Sequence, residues 1–178
     1  MNTIHFKLLV TLGVSALLWQ TANPAVEAKQ DCVAKLSPDS EPKVIASIGK
    51  GLEQYKGKVV LLDLWATWCP PCRIEIPGFV KLQDKYCDKG LVIVGIALDS
   101  IDPRGGGGAA AVGPFMKKAG INYPVWMVED LHALEQYPVD AYPTTYLIGR
   151  DGKIKKRYVG AQPDEVFETD ITAALQES

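Results

Sequence analysis

Histidine is nearly absent from this chain: there are two in 178 residues, and only His132 lies beyond residue 28. Cysteine is scarce too, at four. A structural zinc site takes four ligands, and Cys32 and Cys87 stand alone at unrelated spacings, so Cys69 and Cys72 lack partners for one. Positive charge is not in excess, with 19 Lys and Arg against 21 Asp and Glu and a formal net charge of −2. That removes the basic footprint of a nucleic-acid binder. The N-terminal apolar run, Leu8–Trp19, has 12 residues, short of the roughly 20 that span a bilayer. Four consecutive glycines, 105–108, lack the Lys-Ser/Thr of a phosphate cradle and predict a flexible loop instead.

What the first segment does contain is the pattern of an export signal. Lys7 supplies a thin positive region, Leu8–Trp19 the apolar stretch, and Ala22–Ala28 small residues with Val26-Glu27-Ala28 as the cleavage site. The expected division is a signal at 1–28, an N-terminal extension at 29–57 and a single domain at 58–178; an uncleaved anchor over 8–19 is the alternative. Gln30-Asp31 before Cys32 does not match a lipoprotein signal. Export places the cysteines in an oxidising compartment, so a pair that acts as a reductant there needs a partner to keep it reduced.

The chemistry concentrates in Leu61–Pro77, LLDLWATWCPPCRIEIP. An apolar strand runs into Trp68-Cys69-Pro70-Pro71-Cys72, after which the pattern turns helical. Cys69 then stands at a helix entry, where unpaired N–H groups and the macrodipole favour an anion. A thiolate is that anion, so Cys69 is the predicted attacking sulfur. Cys72 reaches back one turn to close a disulfide with it. Pro70 and Pro71 suit a first helical turn, which needs no N–H donors. A CxxC alone also serves metals; a strand, WCxxC and a helix together point to redox chemistry. Asp63, inside the apolar strand, is costly to bury without a function or a partner. It reads as a proton acceptor for Cys72 or as a strand-end Asp reaching solvent. Glu75, three residues past Cys72, shares its side of the helix, as an active-site group or a solvated carboxylate.

The remaining pattern predicts strands at Lys43–Ile48, Lys58–Ala66, Leu91–Leu98, Pro124–Val128, Thr144–Gly149 and Lys153–Val159. Helices are predicted at Leu52–Lys56 (one turn, ending at Gly57), Pro70–Tyr86, Ala109–Ala119, Leu131–Tyr137 and Pro163–Leu175. Ile74, Phe79, Val80 and Leu82 are the expected core side of the active-site helix, with a kink at Pro77 and a possible split of the next helix at Gly113-Pro114. Arg150-Asp151-Gly152 reads as a hairpin turn, and Lys155-Lys156-Arg157 as a solvated strand face or a docking surface.

WATWCPPC, the basic residue after it, the Glu and the Pro two residues later resemble a thioredoxin-fold thiol–disulfide oxidoreductase of the extracytoplasmic TlpA/ResA/DsbE-like family. The likeness runs from about Lys58 to Leu175. It implies an α/β, thioredoxin-like fold: a mixed sheet with helices on both faces and an inserted helix-strand unit. It also implies substrate contacts at Trp68, Pro70, Pro71 and Tyr142, and a cis Pro143 against the disulfide, although Tyr142 is bulky for that place. Asp63 departs from the asparagine of many such relatives towards thioredoxin itself. The implied activity is reduction of disulfides in a partner protein, in cytochrome c maturation or copper-centre assembly, by a monomer that needs no metal or cofactor and is recharged by a membrane thiol donor. Cys32 and Cys87 are left to pair as a structural disulfide, as leftover cysteines in exported proteins usually do; two free or intermolecular thiols are the alternative. The rivals are a disulfide-forming oxidant, which tends to carry His between the cysteines, and a copper-binding assembly factor, for which Met116 and Met127 are remote. A peroxiredoxin-type peroxidase would need a threonine-cysteine motif of its own.

Overall fold

A computed structural model describes residues 41–102, 104 and 107–177. The expected export segment and Cys32 lie outside the described residues. Among the described residues six strands form one sheet in the order β1-β4-β3-β2-β5-β6. They are β1 (Lys43–Ile45), β2 (Val59–Trp65), β3 (Leu91–Ala97), β4 (Val125–Val128), β5 (Thr144–Ile148) and β6 (Ile154–Val159). β1, β4, β3 and β2 pair in parallel, while β5 and β6 are antiparallel. Every residue of the central strands β2 and β3 is buried, which is why both read as unbroken apolar runs.

Among the described residues four α-helices accompany the sheet: α1 (Ile48–Leu52), α2 (Pro70–Tyr86), α3 (Val112–Ala119) and α4 (Asp164–Gln176). Helical cover on the two faces is unequal. Leu61, Trp65 and Ile93 share one core with side chains of α2, α3 and α4. Leu62, Val94 and Ile96 point the other way, where Ile48 of α1, Ala133 and Tyr137 cover them. On the first face Phe79 of α2 meets Phe167 of α4 edge-on at 5.0 Å between ring centroids, and Tyr158 of β6 meets the same Phe167 ring edge-on at 4.8 Å. Burying each such ring contributes about 1.5–3 kcal/mol, so α2 is clamped to the sheet well away from its reactive end.

Several expected elements take different bounds. The first strand stops at Ile45, and Ser47 then caps α1. The turn expected at Leu52–Lys56 is the end of α1 followed by a 3-10 turn at Glu53–Tyr55. The helix expected from Ala109 starts as a 3-10 turn at Gly108–Ala111 and becomes α-helical only at Val112. Gly113-Pro114 does not split it, because Pro114 falls in the first turn, where a missing N–H costs nothing. The helix expected at Leu131–Tyr137 is a 3-10 turn of four residues, Leu131–Leu134. On α2, Ile74 is 76% exposed, and Ile76 takes the core place instead. The helix continues through Pro77 without interruption. Lys155, Lys156 and Arg157 are paired with Asp151 and Glu177, with Asp170 and with Asp140, which makes them a solvated strand face.

Candidate active site

β2 delivers the motif, and β3 holds it. After Trp65 the chain turns: Cys69 N–H donates to the Ala66 carbonyl at 3.1 Å. Thr67 donates its N–H to the Asp99 carboxylate at 3.1 and 3.2 Å and its hydroxyl to the same group. Asp99, just past β3, is 1% exposed, so its buried side chain, as acceptor, fixes the turn before the cysteines. Cys69 is the cap of α2: its sulfur accepts the Cys72 N–H at 3.2 Å, with Pro70 and Pro71 opening the helix. That N–H is one of the orphan donors of a helix start, and it favours negative charge on Cys69. Cys69 and Cys72 are joined as a disulfide, with Cα atoms 5.4 Å apart.

The two sulfurs face different surroundings. A groove of about 400 Å³ runs along Trp68, Cys69, Pro70 and Pro71, and its far wall is Asp140, Ala141 and Tyr142. Cys72 does not line it, although both residues are nearly buried. The Tyr142-Pro143 bond is cis, as the resemblance implied. The bulk of Tyr142 does not fill the groove: its ring stands edge-on to Trp68 at 5.3 Å and forms a wall.

Behind the motif the structure places both carboxylates out of solvent. Asp63 is 1% exposed, on the face of β2 that Leu61 and Trp65 turn towards Cys69 and Cys72. Its cross-strand neighbours are Gly95 and Thr145, and Thr145 donates to it at 3.2 Å. Glycine is required at 95, because a Cβ there would come within 2.8 Å of Trp65 Nε1. Burial, and then the charge of Glu75, hold the Asp63 carboxyl well above the usual range. Glu75 is 3% exposed; its Oε1 accepts the Gln162 N–H at 2.6 Å, while Oε2 meets no protein donor. Burial pushes its pKa up to about 7, opposed by the Gln162 N–H and reinforced by Asp164. Tyr123 is fully buried, its hydroxyl bonds to no protein group, and it senses both carboxylates. A solvated place for either carboxylate is thereby ruled out.

Asp99, Asp102, Arg104, Thr145 and Gln162 complete the site without having been singled out in the sequence. Only Asp99 carried a local signal, as a charge ending an apolar run. The others reach the motif from loops and strands 34 to 87 positions away.

The Redoxin family model matches residues 48–175. The chain is 35% identical over 160 residues to the thiol-disulfide oxidoreductase ResA of Bacillus subtilis, covering 89% of this chain and 86% of that one. It is 33% identical over 135 residues to the thioredoxin-like protein YneN of the same organism, with 76% of each covered. Among solved structures, a thiol:disulfide interchange protein of the thioredoxin family from Chlorobium tepidum is similar at a TM-score of 0.62 and 31% identity, over 77% of this chain and 99% of that one. The chain therefore belongs to the Redoxin family and, within it, to the thioredoxin-fold thiol–disulfide oxidoreductases of the TlpA/ResA/DsbE-like type.

Proposed function

We propose that the protein is an exported reductase of disulfides in partner proteins, with Cys69 as nucleophile and Cys72 as resolving thiol. The observation that carries this reading is the asymmetry of the pair: both sulfurs are nearly buried, but Cys69 caps the helix and lines the open groove, and Cys72 does not line it. The Cys69 thiolate attacks one sulfur of the partner's disulfide and expels the other as a thiolate, leaving a mixed disulfide. Asp63 takes the proton of Cys72. The resulting thiolate attacks Cys69, re-forms the Cys69–Cys72 bond and releases the partner with two electrons gained. The raised affinity of Asp63 for a proton in the disulfide state suits a group that has just accepted one. Glu75, with a pKa of about 7, is suited to pass that proton outwards. Trp68, Pro70, Pro71, Tyr142 and Pro143 receive the partner's chain. A membrane thiol donor returns the pair to the dithiol. The proposed targets are cysteines of haem-attachment sites or copper-centre assembly proteins, and the proposed location is outside the cytoplasm.

The roles separate on a non-reducing gel with a two-cysteine peptide disulfide as substrate. Cys72→Ser is expected to accumulate a mixed disulfide through Cys69, and Cys69→Ser to accumulate none. Equal trapping by both variants would overturn the assignment.

A further inference from the structure

Both aromatic walls of the groove are tied to one residue outside the motif. Asp102 follows the 3-10 turn Leu98–Ser100 at the end of β3. Its carbonyl accepts the Trp68 indole N–H at 3.2 Å, and its carboxylate accepts the Tyr142 hydroxyl at 3.0 Å. Arg104 folds back onto that carboxylate, through Nε at 2.8 and 3.0 Å and Nη2 at 2.5 Å. The Arg104 guanidinium then lies 4.8 Å from the Trp68 ring centre and 5.5 Å from that of Tyr142. This clamp holds the Asp102 pKa down at about 2, so the anion persists at any working pH. The spacing between the residue before Cys69 and the residue before Pro143 is thus set from a third place in the chain.

We propose that Asp102 and Arg104 are specificity-determining residues, latching Trp68 and Tyr142 against each other as the aromatic wall of a slot that takes an apolar side chain next to the partner's reacting cysteine. The inference rests on Cys69 attacking protein disulfides and adds which flanking sequence is taken. The slot presents ring and proline surface from Trp68, Pro70, Pro71 and Tyr142, with Ala141 and Val139 beyond. The charges at its rim are already matched, Arg104 with Asp102 and Asp140 with Arg157. A charged side chain entering there loses water and finds no unengaged opposite charge, whereas an apolar one gains by leaving water.

The test uses reduced full-length protein and symmetrical peptide disulfides that differ only in the residue before cysteine: Phe, Gly, Asp or Lys. Bis(2-hydroxyethyl) disulfide, which has no flanking residue, serves as the reference. Wild type is expected to prefer the Phe peptide over the other three by about tenfold in kcat/KM, mostly through KM. Arg104→Ala and Asp102→Asn are expected to lose most of that preference, with a loss on the Phe peptide at least fivefold greater than on the reference disulfide. Tyr142→Phe, which deletes only the hydroxyl, is expected to follow Asp102→Asn. Preference for a charged flank, no preference, or equal losses on peptide and reference would overturn the latch while leaving the reductase reading intact. Failure of wild type to reduce any of these substrates would overturn both.

Discussion

Glu75 shows what a single residue gains from its surroundings. Its place three positions after Cys72 puts it on one side of α2, and that spacing is equally compatible with solvent. What the fold adds is Gln162, just before α4, whose N–H bonds to it, and the charge of Asp164 in the first turn of α4. A carboxyl raised from 4.5 to about 7 is bound to its proton more tightly in the folded state. Its contribution to stability is then fully present below pH 4.5 and is lost as pH rises through 7, an effect of up to about 3 kcal/mol. Glu75→Gln removes that titration. Denaturation of the oxidised protein from pH 4.5 to 7.5 is expected to show wild-type stability falling with pH and the variant's decline made shallower over the same window, with the contribution of the buried Asp63 remaining. A parallel decline in both would place the titrating group elsewhere.

Among the elements, α2 and the turn before it depend on contacts of very different range. The cap, the two prolines and the apolar spacing lie within a few residues of one another, which is why the helix was legible from end to end. The assignment of Ile74 to its buried side failed because both Ile74 and Ile76 fit a helical stripe loosely. Only docking against α4, through Phe79 and Phe167, selects the stripe that contains Ile76. The turn Ala66–Trp68 has no comparable local signal, since its acceptor, Asp99, is 32 residues away. Asp99→Ala leaves the Thr67 N–H and hydroxyl without their buried acceptor, at an expected loss of about 2–3 kcal/mol. Asp99→Asn keeps an acceptor and is expected to lose roughly half as much. Urea unfolding checks the stability. The rate of Cys69 alkylation after reduction, expected to change in Asp99→Ala, checks that the turn positions the sulfur.

For the molecule as a whole, the pairing of Cys32 with Cys87 is the proposal of widest reach. Cys87 is buried at the far end of α2 from the active site, and no cysteine is free among the described residues. A bridge closing a loop of roughly 55 residues would stabilise the fold by about 4 kcal/mol. Mass spectrometry of protein from the export compartment after mild reduction is expected to find Cys32–Cys87 intact and Cys69–Cys72 open. Four free thiols would exclude the bridge.

The sequence by itself determined the cysteine pair at a helix entry, the buried central strands and the long active-site helix. Each of these depends on interactions within about a dozen residues. It also flagged Asp63, because a charge in an apolar strand is anomalous wherever the strand sits. Only the tertiary structure decided that Glu75 is covered by Gln162, that Thr145 stands beside Asp63, and that Asp102 bonds to both Trp68 and Tyr142. Those contacts arise from strand order and register in a sheet where β2 lies between β3 and β5. Polar loop residues carry no periodicity that would announce such partners, so their roles appear only once the sheet has brought them together.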